Sequence, residues 1–226
     1  YGFLSMPVVD NSNRLLGIIT VDDAMQIIRD EGIEDINRLG GVADEEKING
    51  PLRDSVKYRL PWLLINLLTA IFASAIVGLF EGTIEKVVSL ATFMSMVSGM
   101  GGNAGTQTLT IIVRGLALGE VNYKNIKRIL AKEFYIGIIT GVVIGTVIAI
   151  LGFIWERNIA FGIIIGVAMI LNMIVATVTG FIVPVVLKRL KIDPALASSI
   201  FVTTFTDVLG FFFFLGLATV FIQYLI

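Results

Sequence analysis

Two features of this sequence could do chemistry. One is the run Ser98-Gly99-Met100-Gly101-Gly102-Asn103-Ala104-Gly105-Thr106-Gln107-Thr108, and the other is Asp207. Both lie inside long apolar stretches. In the run, Gly99, Gly101, Gly102 and Gly105 are mixed with the amides of Asn103 and Gln107 and the hydroxyl of Thr106. Hydrocarbon does not tolerate exposed backbone or unpaired amides, each of which costs several kcal/mol there, so the run must face other protein or a water-filled path. Glycine removes side-chain bulk and lets another backbone, or a hydrated ion, come close. Small residues at four-residue spacing also suit tight helix packing, and the glycines alone do not separate the two readings. Asn103 and Gln107, one turn apart on the same face, favour a polar pathway.

Asp207 stands alone among the acidic residues as one deep in an apolar run, ~16 Å along the helix axis and so near mid-membrane. The sequence offers no lysine or arginine at matching depth. An unpaired carboxylate there costs at least ~2.5–3.5 kcal/mol, so it is expected to be wet, cation-bound or protonated. Ser199, Thr203, Thr206, Asp207 and Gly210 fall on one helical face at three- and four-residue steps, and Ser95, Gly99, Gly102, Asn103, Thr106 and Thr110 do the same in an earlier run. Two polar stripes on apolar helices suggest a shared hydrophilic path. Taken singly, each threonine could instead bond back to its own helix. Asn172, Thr177, Thr179 and Gly180 make a third run partly polar, which tight packing explains, and Pro184 is expected to kink its end.

The elements that must position these residues follow from hydropathy. The chain of 226 residues is 56% hydrophobic, with mean hydropathy +0.89. That excludes an ordinary soluble domain and indicates an integral membrane protein. Five apolar runs, near 60–80, 84–113, 133–154, 159–187 and 196–224, are each long enough to span at ~1.5 Å per residue. Arg114, Lys124, Lys127, Arg128 and Lys132 crowd the link between the second and third runs, and Lys188, Arg189 and Lys191 that between the fourth and fifth. Basic loops stay cytoplasmic, which predicts a cytoplasmic N-terminus, five crossings and an outside C-terminus in the plasma (inner) membrane.

Residues 1–60 carry 7 basic and 11 acidic residues, net −4, and the remainder nets +3. An acidic head thus precedes the membrane body. With no cysteine and no histidine, thiolate and imidazole metal sites and His-based triads are excluded. A metal handled here must accept oxygen ligands, which favours hard cations such as magnesium or calcium. The chain opens mid-pattern at Tyr1-Gly2-Phe3-Leu4 without a Met or a signal peptide, and is expected to be part of a longer protein.

In the head, residues 6–10 and 15–19 read as strands around the turn Asn11-Ser12-Asn13, and Thr20 caps a helix over about residues 21–30. Strand, turn, strand and helix with Gly17-x-x-Thr20-x-x-Asp23 resemble the second half of a cystathionine-β-synthase-type (CBS) module. In relatives of that module the Thr and Asp can hold a nucleotide ribose; a helix cap is the favoured reading here. Gly40-Gly41 is expected to end the module, and Pro51 to open a connecting helix.

The blocks Gly99-Met100-Gly101-Gly102-Asn103-Ala104-Gly105-Thr106-Gln107, Arg114-Gly115-Leu116-Ala117, Asp193-Pro194-Ala195-Leu196 and Thr206-Asp207-Val208-Leu209-Gly210 resemble the signature blocks of the MgtE magnesium channel family. Glu34-Asp35-Ile36 with Leu39-Gly40 resembles that family's junction between CBS module and connecting helix. The resemblance implies an all-α polytopic membrane protein of five transmembrane helices with a short α/β cytosolic remnant of a CBS module. Its parts would be residues 1–40 (partial CBS module), 41–58 (connecting, or plug, helix) and 59–226 (pore domain). It implies a homodimer in membrane lipid, with the second and fifth spans lining a central pore, Asp207 binding magnesium through its water shell, and Asn103 on the ion path. The two stripes then supply Gly99, Gly102, Asn103, Thr106, Thr203 and Thr206 as pore-lining residues. Magnesium would be both transported and regulatory, since magnesium bound among acidic residues of the head would hold the connecting helix against the pore. Asp22, Asp23, Glu34, Asp35, Asp44, Glu45 and Glu46 are the candidates for that site. The family's N-terminal helical domain, first CBS module and the start of the second have no counterpart in this sequence.

Competing readings are a less selective carrier of magnesium, cobalt and manganese, with or without coupling to another ion, an intramembrane aspartyl protease, and a membrane-anchored CBS sensor. The protease needs two aspartates sharing a proton, and the spans of one chain offer one. The sensor leaves Asp207 and the glycine block unexplained. No nucleic-acid partner is indicated.

Overall fold

The structure, a computed structural model, describes residues 2–42, 46, 48–122, 124–195 and 198–226, without the side chains of Asp35 and Ser198. Asp44, Glu45 and the Asp35 side chain therefore lie outside the described residues.

The head begins with β1 (Ser5–Val9) and β2 (Leu15–Thr20), paired antiparallel, with the register slipping between Val8↔Gly17 and Val9↔Leu15. Asp10 shapes the turn. Its Oδ1 accepts the backbone N–H of Ser12 at 2.8 Å and of Arg14 at 2.9 Å, and the Arg14 N–H above all holds this carboxyl below its ordinary range. Both faces of this hairpin are exposed, and so small a sheet is marginal on its own in water.

Helix α1 (Val21–Leu39) starts with a capping box: Asp23 N–H donates to Thr20 Oγ1 at 3.3 Å, and Thr20 N–H donates to Asp23 Oδ2 at 2.8 Å. The Thr20 hydroxyl also donates to Asp23 Oδ2 at 2.6 Å, and this bond, with that from the Thr20 N–H, depresses the Asp23 pKa. The helix does not end near Asp30, as the sequence reading expects, but runs on to Leu39. Gly32 lies in open space inside the helix. A helical glycine costs ~1 kcal/mol, which weakens a helix without stopping it, and the Glu34–Arg38 pair one turn apart supports the stretch beyond. The stop comes at Gly40-Gly41, where Gly41 takes φ +69°, a conformation that glycine adopts without strain.

The membrane body contains α2 (Leu52–Gly78), the short α3 (Glu81–Lys86), α4 (Ser89–Ala117), α5 (Ile126–Glu156), α6 (Ile159–Arg189) and α7 (Ser198–Val220), then a 3₁₀ turn at Ile222–Tyr224. Helices α2, α5, α6 and α7 are long and apolar enough to cross a membrane. Helix α4 has the length, 29 residues, but its glycines, hydroxyls and amides dilute its hydropathy. Helix α2 runs unbroken through position 58, and Pro61 lies inside it.

Helix α6 is the axis of the bundle, packing on α4, α5 and α7. Leu90, Phe93 and Val97 of α4 meet Phe161, Ile165 and Met169 of α6 and Phe214 and Leu215 of α7 in one apolar core. Glycines let α5 and α6 touch backbone to backbone: a Cβ on Gly162 would sit 2.6 Å from the Ala149 carbonyl oxygen, and one on Gly145 2.8 Å from that of Gly166. Helix α2 buries only Ala73 among its described residues, leaving Leu63, Leu64, Leu67, Leu68 and Phe72 to lipid or a partner. Two contacts tie the loops. Lys188 Nζ donates to the Leu116 carbonyl at 2.7 Å at the end of α4, where a cation also meets the negative helix terminus. Arg38 at the end of α1 pairs with both Glu34 and Asp193, joining the head to the α6–α7 link.

Candidate ion site

The polar run in α4 divides between two faces. Gly101, Ala104, Gly105 and Thr108 are buried against the bundle. Ser95, Gly99, Asn103, Thr106, Gln107 and Thr110 are exposed, and Gly102 is half-exposed with open space around it. Tight packing thus accounts for Gly101 and Gly105, whereas Gly99 and Gly102 have open space beside them. On α7, Thr203 is exposed and Asp207 half-buried.

These helices meet at the carboxylate. Ser98 Oγ donates to Asp207 Oδ1 at 2.6 Å, so one oxygen is held while the group remains in partial contact with the outside. Among the described residues no group of three or more carboxylates gathers around it or anywhere else. One chain supplies a single carboxylate and a hydroxyl here, not a closed cage of ligands.

The hydroxyls of the stripes are turned inward on their own helices. Thr106 donates to the Gly102 carbonyl, Thr110 to that of Thr106, and Thr203 to that of Ser199, each at 2.8 Å. Each oxygen keeps acceptor capacity toward the exposed side. Thr206 is elsewhere: it is fully buried, its hydroxyl donates to the Thr203 carbonyl at 2.9 Å, and its methyl lies toward Gly105.

Below the stripe, Gly40, Gly41, Arg59, Asn66, Ser199 and Thr203 line an open cavity of about 530 Å³ where the head joins the body. Arg59 Nε donates to both carboxylate oxygens of Glu46, at 2.7 and 3.0 Å, and this holds the Glu46 pKa down. Of the other acidic candidates in the head, Asp23 is engaged in its cap and Glu34 with Arg38, while Asp22 is exposed in the first turn of α1. The structure does not bring these four into one cluster.

One polar group escaped the sequence reading, and a second, Asn172, was read there only as packing. Glu133 is 5% exposed and accepts the Thr108 hydroxyl at 3.1 Å, about 10 Å into α5 at ~1.5 Å per residue. Glu133 is thus a second acid drawn into the body, and the more buried of the two. Its adjacency to Lys132 made Glu133 look like the start of a span, but α5 begins nearly two turns earlier, at Ile126. The second is Asn172 near the centre of α6, fully buried, whose Nδ2 donates to the Val97 carbonyl at 2.7 Å.

A family profile described as "Divalent cation transporter", MgtE, matches residues 94–217, from just before the glycine-rich run to beyond Asp207. The chain belongs to the MgtE family. It is 39% identical over 223 residues to a protein named "Magnesium transporter MgtE" of Bacillus subtilis, covering 99% of this chain and 49% of that protein. Proteins of the same name from Enterococcus faecalis and Thermus thermophilus are 37% and 33% identical, over 100% and 99% of this chain and half of each protein. The chain thus spans about half the length of these curated MgtE relatives. The part that it shares with the MgtE profile contains most of α4, all of α5 and α6, and Asp207, so the matched segment includes the Ser98–Asp207 contact.

Proposed function

We propose that the chain conducts magnesium across the membrane through a dimeric pore lined by α4 and α7, with Asp207 as the ion-binding group. The single observation that carries this is the half-buried Asp207 carboxylate, held by Ser98 beside the exposed polar stripes of α4 and α7. Magnesium sheds water reluctantly and prefers octahedral oxygen coordination. A site with one carboxylate per chain suits an ion that keeps its water shell. Across a two-fold axis, two Asp207 side chains balance one divalent charge. In this reading α4 joins the other four as a membrane span, the second in chain order, its weak hydropathy being the mark of a helix that faces water and protein more than lipid. Gly99, Gly102, Asn103, Thr106 and Thr203 line the path, while Thr206 packs behind it. The basic loops put the N-terminus in the cytoplasm. The names of the relatives support magnesium as the cargo. Protein reconstituted in liposomes is expected to pass magnesium in preference to cobalt and manganese. Equal flux of all three would favour the less selective carrier, and no flux would overturn the reading.

The acidic head is proposed to sense the same ion. Two heads of net −4 approach each other in a dimer, and divalent ions relieve that repulsion better than monovalent ones. The gating effect is bounded by the ion's differential affinity for the closed state. Arg38, linking α1 to Asp193 before α7, gives a head movement a route to the pore helix. Proteolysis at Gly40-Gly41 is expected to slow with added magnesium, and less with potassium at equal ionic strength. Equal protection by both salts would reduce the head's role to charge screening.

A further inference from the structure

We infer that Asn172 is a positioning residue for the ion site: from α6 it sets the Ser98–Asp207 contact between α4 and α7. The inference rests on the reading of Asp207 as the ion ligand. Its own observations are independent of that reading. The Asn172 side chain is fully buried and lies between two glycines. A Cβ on Gly101 of α4 would fall 2.3 Å from Nδ2, and one on Gly210 of α7 would fall 2.9 Å from Cγ, Nδ2 and Oδ1 alike. Both glycines belong to the blocks that carry Ser98 and Asp207, so the amide fills the gap that their missing side chains leave. Its Nδ2 donates to the carbonyl of Val97, the residue preceding Ser98. Gly210 lies three residues, about one turn, beyond Asp207. One planar group thus fixes the backbone beside both partners of the 2.6 Å Ser98–Asp207 bond.

The remaining atom argues against simple packing. Asn172 Oδ1 is buried and meets no donor among the described residues. An apolar side chain of the same size would fill the space without stranding an acceptor, and a stranded buried acceptor is costly. What leucine could not supply is the bond to Val97 and a flat face narrow enough for both glycines. The amide thereby spaces α4 from α7 at the depth of the carboxylate.

The test is a double-mutant cycle on protein in liposomes, reading the magnesium concentration for half-maximal flux and the maximal flux separately. Asn172→Leu is expected to raise the half-saturating concentration on the order of tenfold, about 1.4 kcal/mol, with maximal flux changed far less. In an Asp207→Asn background, where the charge that the contact positions is gone, the same substitution is expected to change half-saturation far less. A structural role alone would give the same factor in both backgrounds, or lower maximal flux without changing half-saturation, and either result overturns the inference. Asn172→Ala, which removes the amide donor without adding bulk or charge, is the second variant and is expected to follow Asn172→Leu. If neither variant yields folded protein, Asn172 holds the fold and the inference fails. If Asp207→Asn by itself leaves half-saturation unchanged, it is the ion-site reading that fails, and the cycle tells the two apart.

Discussion

Asp207→Asn is expected to weaken magnesium binding in the pore by on the order of 100-fold, about 2.7 kcal/mol, while leaving the assembly intact. A divalent ion ~5 Å from a carboxylate, at an effective dielectric of ~20, gains roughly 6–7 kcal/mol of Coulomb energy before desolvation is subtracted. Dehydration of the carboxylate cancels part of that gain, and the asparagine oxygen retains a fraction through its dipole. Ser98 can still donate to the amide oxygen, so the α4–α7 contact survives. The loss therefore appears in affinity and in competition between cations rather than in folding. Flux measured with calcium, cobalt or manganese as competitors reads it directly. Unchanged affinity and unchanged competition in the variant would remove Asp207 from the ion path.

The two ends of that contact were legible in the sequence for different reasons. Asp207 stood out because a carboxylate in an apolar run violates the cost of burial. The α4 run stood out because amides and glycines violate hydropathy. What sequence could not supply was the third party. Asn172 sits in a helix whose apolar residues run all the way around it, so periodicity marks no face, and its meaning depends on glycines seventy-one residues before it and thirty-eight after. Glu133 was hidden by a boundary error, since a lysine beside it looked like the end of the membrane segment. Thr206 fits the helical spacing of the α7 stripe, yet its position toward Gly105 is decided by the α4–α7 contact rather than by its own helix. The α1 boundary moved outward because Gly32 breaks a local rule at the cost of one helical glycine, which neighbouring turns absorb.

Two glycines on different faces of the bundle are expected to fail in opposite ways. Gly102→Leu adds a side chain where nothing lies within 4 Å in the single chain, so a protomer should fold as before. Its new side chain projects to the half-exposed side of α4, beside Asn103 and Thr106, and is expected to stop magnesium flux by filling the path or displacing a closely packed partner helix. Gly180→Ala adds one methyl at the α4–α6 contact, 2.7 Å from the Gly105 carbonyl oxygen and 2.9 Å from Thr108 Cβ. Neither neighbour is the free end of a flexible side chain, so the helices must separate, at roughly 1–3 kcal/mol for overpacking of this kind. The prediction is a lower melting temperature in detergent for Gly180→Ala and an unchanged one for Gly102→Leu, with flux abolished only in the latter when both are compared below the melting transition. Stable Gly102→Leu protein that conducts at the wild-type rate would mean that this face of α4 looks onto lipid. The pathway would then have to be sought on the buried side, where Gly101, Gly105 and Gly180 leave no room for a hydrated ion.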